Sequence, residues 1–298
     1  MTFNDTATLP VRAPFRLDHT AYALRRLAAN VVDVVAPDGS YYRALRDAKG
    51  TTVVRVRQIA PDRLEVATTG AGGDRWLPAI VRMLGTQTDL SQWYEAVTHT
   101  PWLHRLSQIL RGLKPPRYPS LWEACAHAVV FQQISIHAAG AIMRRAVEAL
   151  GEPVVVDGIA CIPFPEPDRW LQADESVLRA AGLSQNKVAH LRAVAAGIAQ
   201  GAVDEAAIEL LPTEQASQAL REIRGIGPWS AAVILLRGLG RLDTFPLRDS
   251  GVARSMAFLA GEGADIDGLL DSLGPARGML YYHLLLGRAL PDLKLQPG

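Results

Sequence analysis

The chain has 298 residues but only two cysteines, Cys125 and Cys161, and they form no C-x-x-C pair. That excludes a disulfide framework and a cysteine-held zinc site. Both read as packing residues. The seven histidines show no H-E-x-x-H or comparable spacing, so no histidine metal site is expected, and His127 and His137 read as ordinary helix residues. No apolar run approaches the roughly 20 residues that a membrane helix needs. Residues 1–15 lack the basic-then-apolar layout of a signal peptide. Low-complexity runs are absent as well. The expectation is a soluble cytoplasmic protein with no membrane partner. Net charge is +1, so no whole-chain excess announces a polyanionic partner.

What is present is a long, half-hydrophobic chain, enough for two or three small domains. Residues 1–14 read as a loose tail, and 19–34 as a helix passing into a strand. Tyr41 to Leu45, Thr52 to Ile59 and Leu64 to Thr69 are short strand-like runs. Turn chemistry separates them at Pro37-Asp38-Gly39, at 47–50 and at Ala60-Pro61-Asp62-Arg63. This predicts an antiparallel meander in a small α/β domain spanning 1–88. From residue 89 the apolar spacing is helical to the end. Ser120-Leu121-Trp122-Glu123 is a capping box that starts a helix running to about Gln133. Further helices are expected near 135–150, 174–181, 186–200, 213–223, 228–238, 249–259 and 276–290. Four prolines and a short hairpin fall within 151–167. Many short helices without sustained heptads indicate an orthogonal helical fold.

One stretch carries chemistry. Leu220-Arg221-Glu222-Ile223-Arg224-Gly225-Ile226-Gly227-Pro228-Trp229-Ser230 reads as a helix, a tight Gly-Ile-Gly turn, and a second helix opened by proline. Glycine takes positive φ and admits close approach. Proline fits the first helical position, where its missing N–H costs nothing. The N–H groups that follow point out of the helix start and suit a phosphate. Six arginines lie between Arg221 and Arg254 against Glu222, Asp243 and Asp249. On charge alone they read equally as a DNA-facing set or a solvated surface. Asp249 by itself reads as a helix N-cap.

The ordered set Phe131-Gln132-Gln133-Ile134-Ser135, Gly225-Ile226-Gly227 and Asp249 resembles the helix-hairpin-helix (HhH-GPD) DNA glycosylase superfamily, and within it the 3-methyladenine DNA glycosylase II (AlkA) type. The resemblance covers about 119–290 well and the first hundred residues loosely. It implies a mostly α fold: a two-lobed orthogonal helical core with a small N-terminal antiparallel α/β domain. Residues 119–241 would form the lobe holding the hairpin, and 89–118 with 242–298 the lobe carrying the catalytic aspartate. Four cysteines after the catalytic helix mark the iron–sulfur branch, and this chain has none there.

The resemblance also implies a reaction. A monofunctional base-excision glycosylase extrudes an alkylated base of the 3-methyladenine or 7-methylguanine type from duplex DNA. It then hydrolyses the N-glycosidic bond and leaves an abasic site. Asp249 would stabilise the cationic sugar and orient water. Trp229 stands where the strand-cutting branch has a nucleophilic lysine, so it would stack on the base instead. Gln132 and Gln133 would fill the gap left in the duplex, and Tyr281 would line the pocket. The family's other pocket aromatics fall at Val233 and Ala276. Gly225, Ile226, Gly227, Trp229 and Ser230 would hold one phosphate, which positions DNA without reading sequence. Carbonyls of Ile223 and Gly225 are candidates for a monovalent cation, and no other cofactor is required. A monomer acting on damaged double-stranded DNA is expected. Two alternatives remain: a glycosylase for deaminated or oxidised bases on the same frame, and a non-catalytic helix-hairpin-helix DNA-binding protein.

Overall fold

A computed structural model describes residues 2–70 and 72–287. Five strands form one antiparallel sheet: β1 Asp5–Pro10, β2 Asp33–Val35, β3 Tyr41–Asp47, β4 Gly50–Ala60 and β5 Arg63–Thr68, in the order β1-β5-β4-β3-β2. The β3–β4–β5 meander sits where the turn residues place it, with Asp47 paired to Gly50 and Ala60 to Arg63. Residues 1–14 are not a loose tail. Asp5–Pro10 pairs along all of β5, and the Asp5 carboxylate accepts from the Gly73 N–H. Only Leu9 of that strand is buried, so its edge position leaves little hydrophobic pattern to read.

The described residues hold fifteen helices, and those named from the sequence lie close to their expected places. The fifteen are α1 Leu17–Arg25, α2 Leu77–Leu84, α3 Ser91–Ala96, α4 Pro101–Ile109, α5 Leu121–Phe131, α6 Ile136–Leu150, α7 Pro167–Gln172 and α8 Glu175–Ala180. Then come α9 Gln185–Ala199, α10 Glu205–Leu210, α11 Thr213–Glu222, α12 Pro228–Arg237, α13 Ser250–Ala260, α14 Ile266–Leu273 and α15 Gly278–Gly287. The helix passing into a strand expected over 19–34 is α1, ending at Arg25, then a loop and β2. The expected end of the last helix near Leu290 lies outside the described residues. The short hairpin in 151–167 is β6 Val154–Val156 with β7 Ile159–Cys161, which covers the outer face of β3 and β4 through Val156 and Cys161.

Two clusters of buried side chains organise the helices. One joins the inner face of the sheet and α2 to α5, α6, α9, α11 and α12. The other gathers α3 and α4 with α13, α14 and α15, and receives Leu236 from α12 and Ala23 from α1. The sheet domain therefore shares a core with the hairpin lobe, and the Asp249 lobe packs around its own. Among the described residues, no helix is long and apolar enough to cross a membrane.

Polar groups sit at the seam between sheet and helices. Arg43 alternates onto the inner face of β3 and is 1% exposed. Its guanidinium donates to Asp33 at 2.6 Å and to Glu123 on α5. Ser120 caps α5 by accepting from the Glu123 N–H, but the Glu123 side chain does not return the bond as a capping box would; it turns inward to Arg43. Two buried carboxylates thus share one guanidinium. Burial and the nearby Asp33 charge push Glu123 up to about 7, against the pull of Arg43. Glu123 then binds a proton in the folded chain at pH values where the unfolded chain has lost it. Its contribution to stability is full below about pH 4.5 and falls as pH rises toward 7. Melting temperature followed across that range should decline in the wild type and decline less in Glu123→Gln. Arg43→Ala, which leaves two buried carboxyl groups without their shared cation, should cost about 3–5 kcal/mol at neutral pH in chemical denaturation.

Candidate active site

Helix α11 stops at Glu222, and α12 opens with Pro228 at its first position. Between them Gly225 has φ +91°, and a Cβ there would come 2.3 Å from Cγ of His190. Both facts require glycine. Gly227 differs: its φ is −92°, and a Cβ there would meet nothing within 4 Å. It leaves the outer side of the bend bare. Ile226 is buried, and its N–H donates to Ile223 O at 3.0 Å, so this residue pins the turn from inside and has no N–H left for a phosphate. The N–H groups of Gly225, Gly227, Trp229 and Ser230 have no acceptor among the described residues. Four donors without protein acceptors therefore lie along the bend and the first turn of α12.

Asp249 lies across the gap, at the N-cap of α13. Its Oδ1 accepts from the N–H of Gly251 at 2.7 Å and of Val252 at 3.1 Å. Its Oδ2 accepts from Trp229 Nε1 at 3.1 Å. The capping role and a half-buried carboxylate beside the hairpin thus coexist in one residue. Arg248, just before it, holds φ +61° and is exposed. Trp229 is half-buried against the first core with its indole N–H spent on Asp249.

The two glutamines part company. They lie in the link between α5 and α6 and not on a helix, since α5 ends at Phe131. Gln132 turns inward, donating from Nε2 to Gly225 O and to Ser230 Oγ, each at 2.8 Å. Gln133 is exposed at φ +59°, followed by Ile134, also exposed. What the link presents outward is Gln133-Ile134. Lys187 on α9, which sequence reasoning passed over, fastens this link: Nζ donates to Val130 O at 2.7 Å and Gln132 O at 2.9 Å. Burial lowers its amine from the ordinary value. Of the two carbonyls named for a cation, Ile223 O accepts from Ile226 and Gly225 O from Gln132. Each oxygen retains a second lone pair.

Tyr281 on α15 is 4% exposed, with its OH accepting from Arg26. Arg26 caps the C-terminus of α1, so it belongs to the N-terminal domain, and nothing in the sequence singled it out. Its guanidinium carbon lies 5.0 Å from the Phe131 ring centroid and 5.9 Å from that of Tyr281. Val233 and Ala276 are buried and add no ring. Burial first, then the charges of Arg26, Arg237 and Arg43, hold His127 well below the usual imidazole range. The His127 ring packs against Phe131 with centroids 5.7 Å apart.

These features agree with what the chain resembles. The pattern of the "HhH-GPD superfamily base excision DNA repair protein" matches residues 126–267. A Mycobacterium tuberculosis protein named "Probable bifunctional transcriptional activator/DNA repair enzyme AlkA" is 30% identical over 249 residues, 82% of this chain and 49% of that one. A Bacillus subtilis "DNA-3-methyladenine glycosylase" is 29% identical over 171 residues, 57% of this chain and 56% of that one. The chain thus spans about half the length of the curated relatives it matches. In structure it is similar to the 3-methyladenine DNA-glycosylase from Archaeoglobus fulgidus, with a TM-score of 0.79 at 23% identity over 95% of this chain and 98% of that one. Residues 126–267 thus carry the pattern of the HhH-GPD superfamily of base excision DNA repair proteins, on a fold like that of the Archaeoglobus fulgidus structure.

Proposed function

We propose that the chain is a monofunctional DNA glycosylase that flips a damaged base out of duplex DNA and hydrolyses its N-glycosidic bond, leaving an abasic site. The single observation that carries this reading is the 3.1 Å hydrogen bond from Trp229 to Asp249. It puts a half-buried carboxylate one residue's reach from a bend with four free N–H donors. A phosphate on those donors brings the adjoining deoxyribose toward Asp249. Cleavage builds positive charge on the sugar, and a fixed anion there lowers the barrier. Trp229 cannot form a Schiff base, so strand cutting is not part of the activity.

The names of its relatives support alkylated bases of the 3-methyladenine type as substrates, and the reading extends to the 7-methylguanine type. Deaminated or oxidised bases are the second reading, favoured by the guanidinium of Arg26 beside Phe131. Gln133, with Ile134, is the pair proposed to enter the duplex, and Gln132 to brace the hairpin. A monovalent cation on the Ile223 and Gly225 carbonyls belongs to the same proposal, as does a monomer working on chromosomal DNA in the cytoplasm.

Duplexes holding one lesion, incubated with protein and then cleaved with alkali, test the reading. Wild type should release base, and Asp249→Asn should lose about 100-fold or more in rate while still binding DNA. Binding without release by the wild type would leave only a DNA-binding module. Strand breaks before alkali would contradict the reading of Trp229. Trp229→Phe keeps an aromatic face but removes the N–H, so single-turnover rates should fall about tenfold with lesion affinity little changed. Gly225→Ala must place a methyl into His190; DNA affinity should drop at least tenfold, read by fluorescence anisotropy at fixed salt.

A further inference from the structure

Helix α9 runs behind two parts of the candidate site. Ser184 caps it by accepting from the Lys187 N–H at 3.2 Å, so the third residue of α9 is fixed at its backbone. Val188 and Leu191 of the same helix are buried in the core that α5 and α12 share. Lys187 and His190 lie one turn apart on one helix face. The His190 ring fills the space behind Gly225, where a Cβ would come 2.3 Å from its Cγ. The Lys187 ammonium reaches the other part, donating to Val130 O at 2.7 Å and Gln132 O at 2.9 Å. Among the described residues no carboxylate pairs with its charge, so these two carbonyls are what it holds. One turn of one helix therefore backs the glycine bend and the link between α5 and α6 together.

The link needs that support. Val130 O belongs to the last turn of α5, where carbonyls have no helical partner and a cation is favoured. Gln132 leaves the helix at φ −60° and ψ +131°, and Gln133 then takes φ +59°, which costs a residue with a side chain. At the far end Ser135 caps α6 by accepting from the Ala138 N–H at 3.2 Å. The link is thus pinned at both ends, with Gln133 and Ile134 exposed between them. Lys187 holds its inner end, and Gln132 ties that same end to Gly225 O and Ser230 Oγ. Ser230 follows Trp229, whose indole donates to Asp249. Every step from the exposed pair to the carboxylate is a hydrogen bond or a peptide bond.

We propose that Lys187 is a positioning residue for duplex opening: by holding the carbonyls of Val130 and Gln132, it keeps the Gln133-Ile134 pair projecting at a fixed offset from the glycine bend. The proposal rests on the glycosylase reading and adds a residue to its base-extrusion step. A side chain pushed between stacked bases meets resistance, and a link free to swing would yield in place of the duplex. That resistance is least where the target base has no partner to leave. Loss of the Lys187 ammonium therefore matters in proportion to the pairing that must be broken. A contact that served the fold alone would make no such distinction.

Two duplexes separate positioning from general damage. Each carries one 7-methylguanine, opposite cytosine in the first and opposite a tetrahydrofuran abasic residue in the second. Single-turnover release is measured with the full chain as wild type, Lys187→Met and Lys187→Arg. Lys187→Met keeps the apolar stem and removes the donors and the charge. It should slow release opposite cytosine by about tenfold or more, and opposite the abasic residue by about threefold at most. Lys187→Arg should recover most of the rate. The salt dependence of binding should not change in Lys187→Met, because the ammonium serves carbonyls and not phosphate. Opening is read without chemistry in Asp249→Asn, from a 2-aminopurine placed beside the 7-methylguanine opposite cytosine. Its fluorescence should rise at saturating protein with Lys187 intact and rise by less than about half as much with Lys187→Met. If the wild type releases no 7-methylguanine yet this signal depends on Lys187 as stated, the alkylated-base reading falls and the positioning role stands. If the wild type releases base but Lys187→Met slows both duplexes equally, slows neither, or lowers the salt slope by about one, the positioning role falls and the glycosylase reading stands. Should Lys187→Met not fold, Lys187→Gln, a neutral donor on a shorter stem, is scored on the same two duplexes.

Discussion

The candidate site depends on how one carboxylate is aimed. Both oxygens of Asp249 are engaged: Oδ1 by two backbone N–H groups at the start of α13, Oδ2 by the indole of Trp229. The first pair fixes the carboxylate to its own lobe. The third bond ties it to the lobe with the glycine bend. A carboxylate held from two sides has little rotational freedom left to lose when substrate arrives. The bend is itself braced from behind, by Gln132 on Gly225 O and Ser230, and by Lys187 on the link that carries Gln132. Removing any one of these supports would loosen a geometry the others still define.

Much of this could be read in the sequence because the signals are local. A Gly-Ile-Gly bend, a following proline and an N-capping aspartate depend on neighbours a few residues away. Helix placement follows the 3.6-residue pattern for the same reason, and the meander follows its turns. The losses came where a residue answers to distant partners. Gln132 and Gln133 are identical in sequence, and only the carbonyl of Gly225, 93 residues away, separates the one that turns inward from the one left outside. Glu123 fits a capping box locally but is claimed by Arg43 from the sheet, 80 residues distant. Arg26 follows an arginine in an unremarkable helix end, and its place against Phe131 and Tyr281 exists only in the folded chain. The Asp5–Pro10 strand is hard to read for a related reason: its burial alternates, but the inward positions Asp5 and Ala7 carry almost no hydrophobic signal and only Leu9 is buried.

The N-terminal domain therefore contributes more than support. It places a cation between Phe131 and Tyr281 from α1, and receives Arg237 of α12 on the Ala23 and Leu24 carbonyls at the same helix end. The end of α1 is where three bodies meet: the sheet domain, the hairpin lobe and the Asp249 lobe, which takes Ala23 into its core. Carbonyls at a helix C-terminus suit a guanidinium, so the position of Arg237 follows from ordinary helix electrostatics. The position of Arg26 does not, because its backbone must leave the favoured region to reach the rings.

The shared guanidinium of Arg43 bears on how such proteins can be recombined. By hydrophobic contacts alone, the sheet and the hairpin lobe look like parts that could be exchanged for counterparts of similar shape. The charges forbid it. A lobe bearing Glu123, grafted onto a sheet without the arginine, would carry a solitary acid into an oily seam; a sheet bearing Asp33 and Arg43, given a lobe without the acid, would lose one arm of its clasp. The boundary that a domain parser would draw between them runs through a three-residue unit that must be inherited whole.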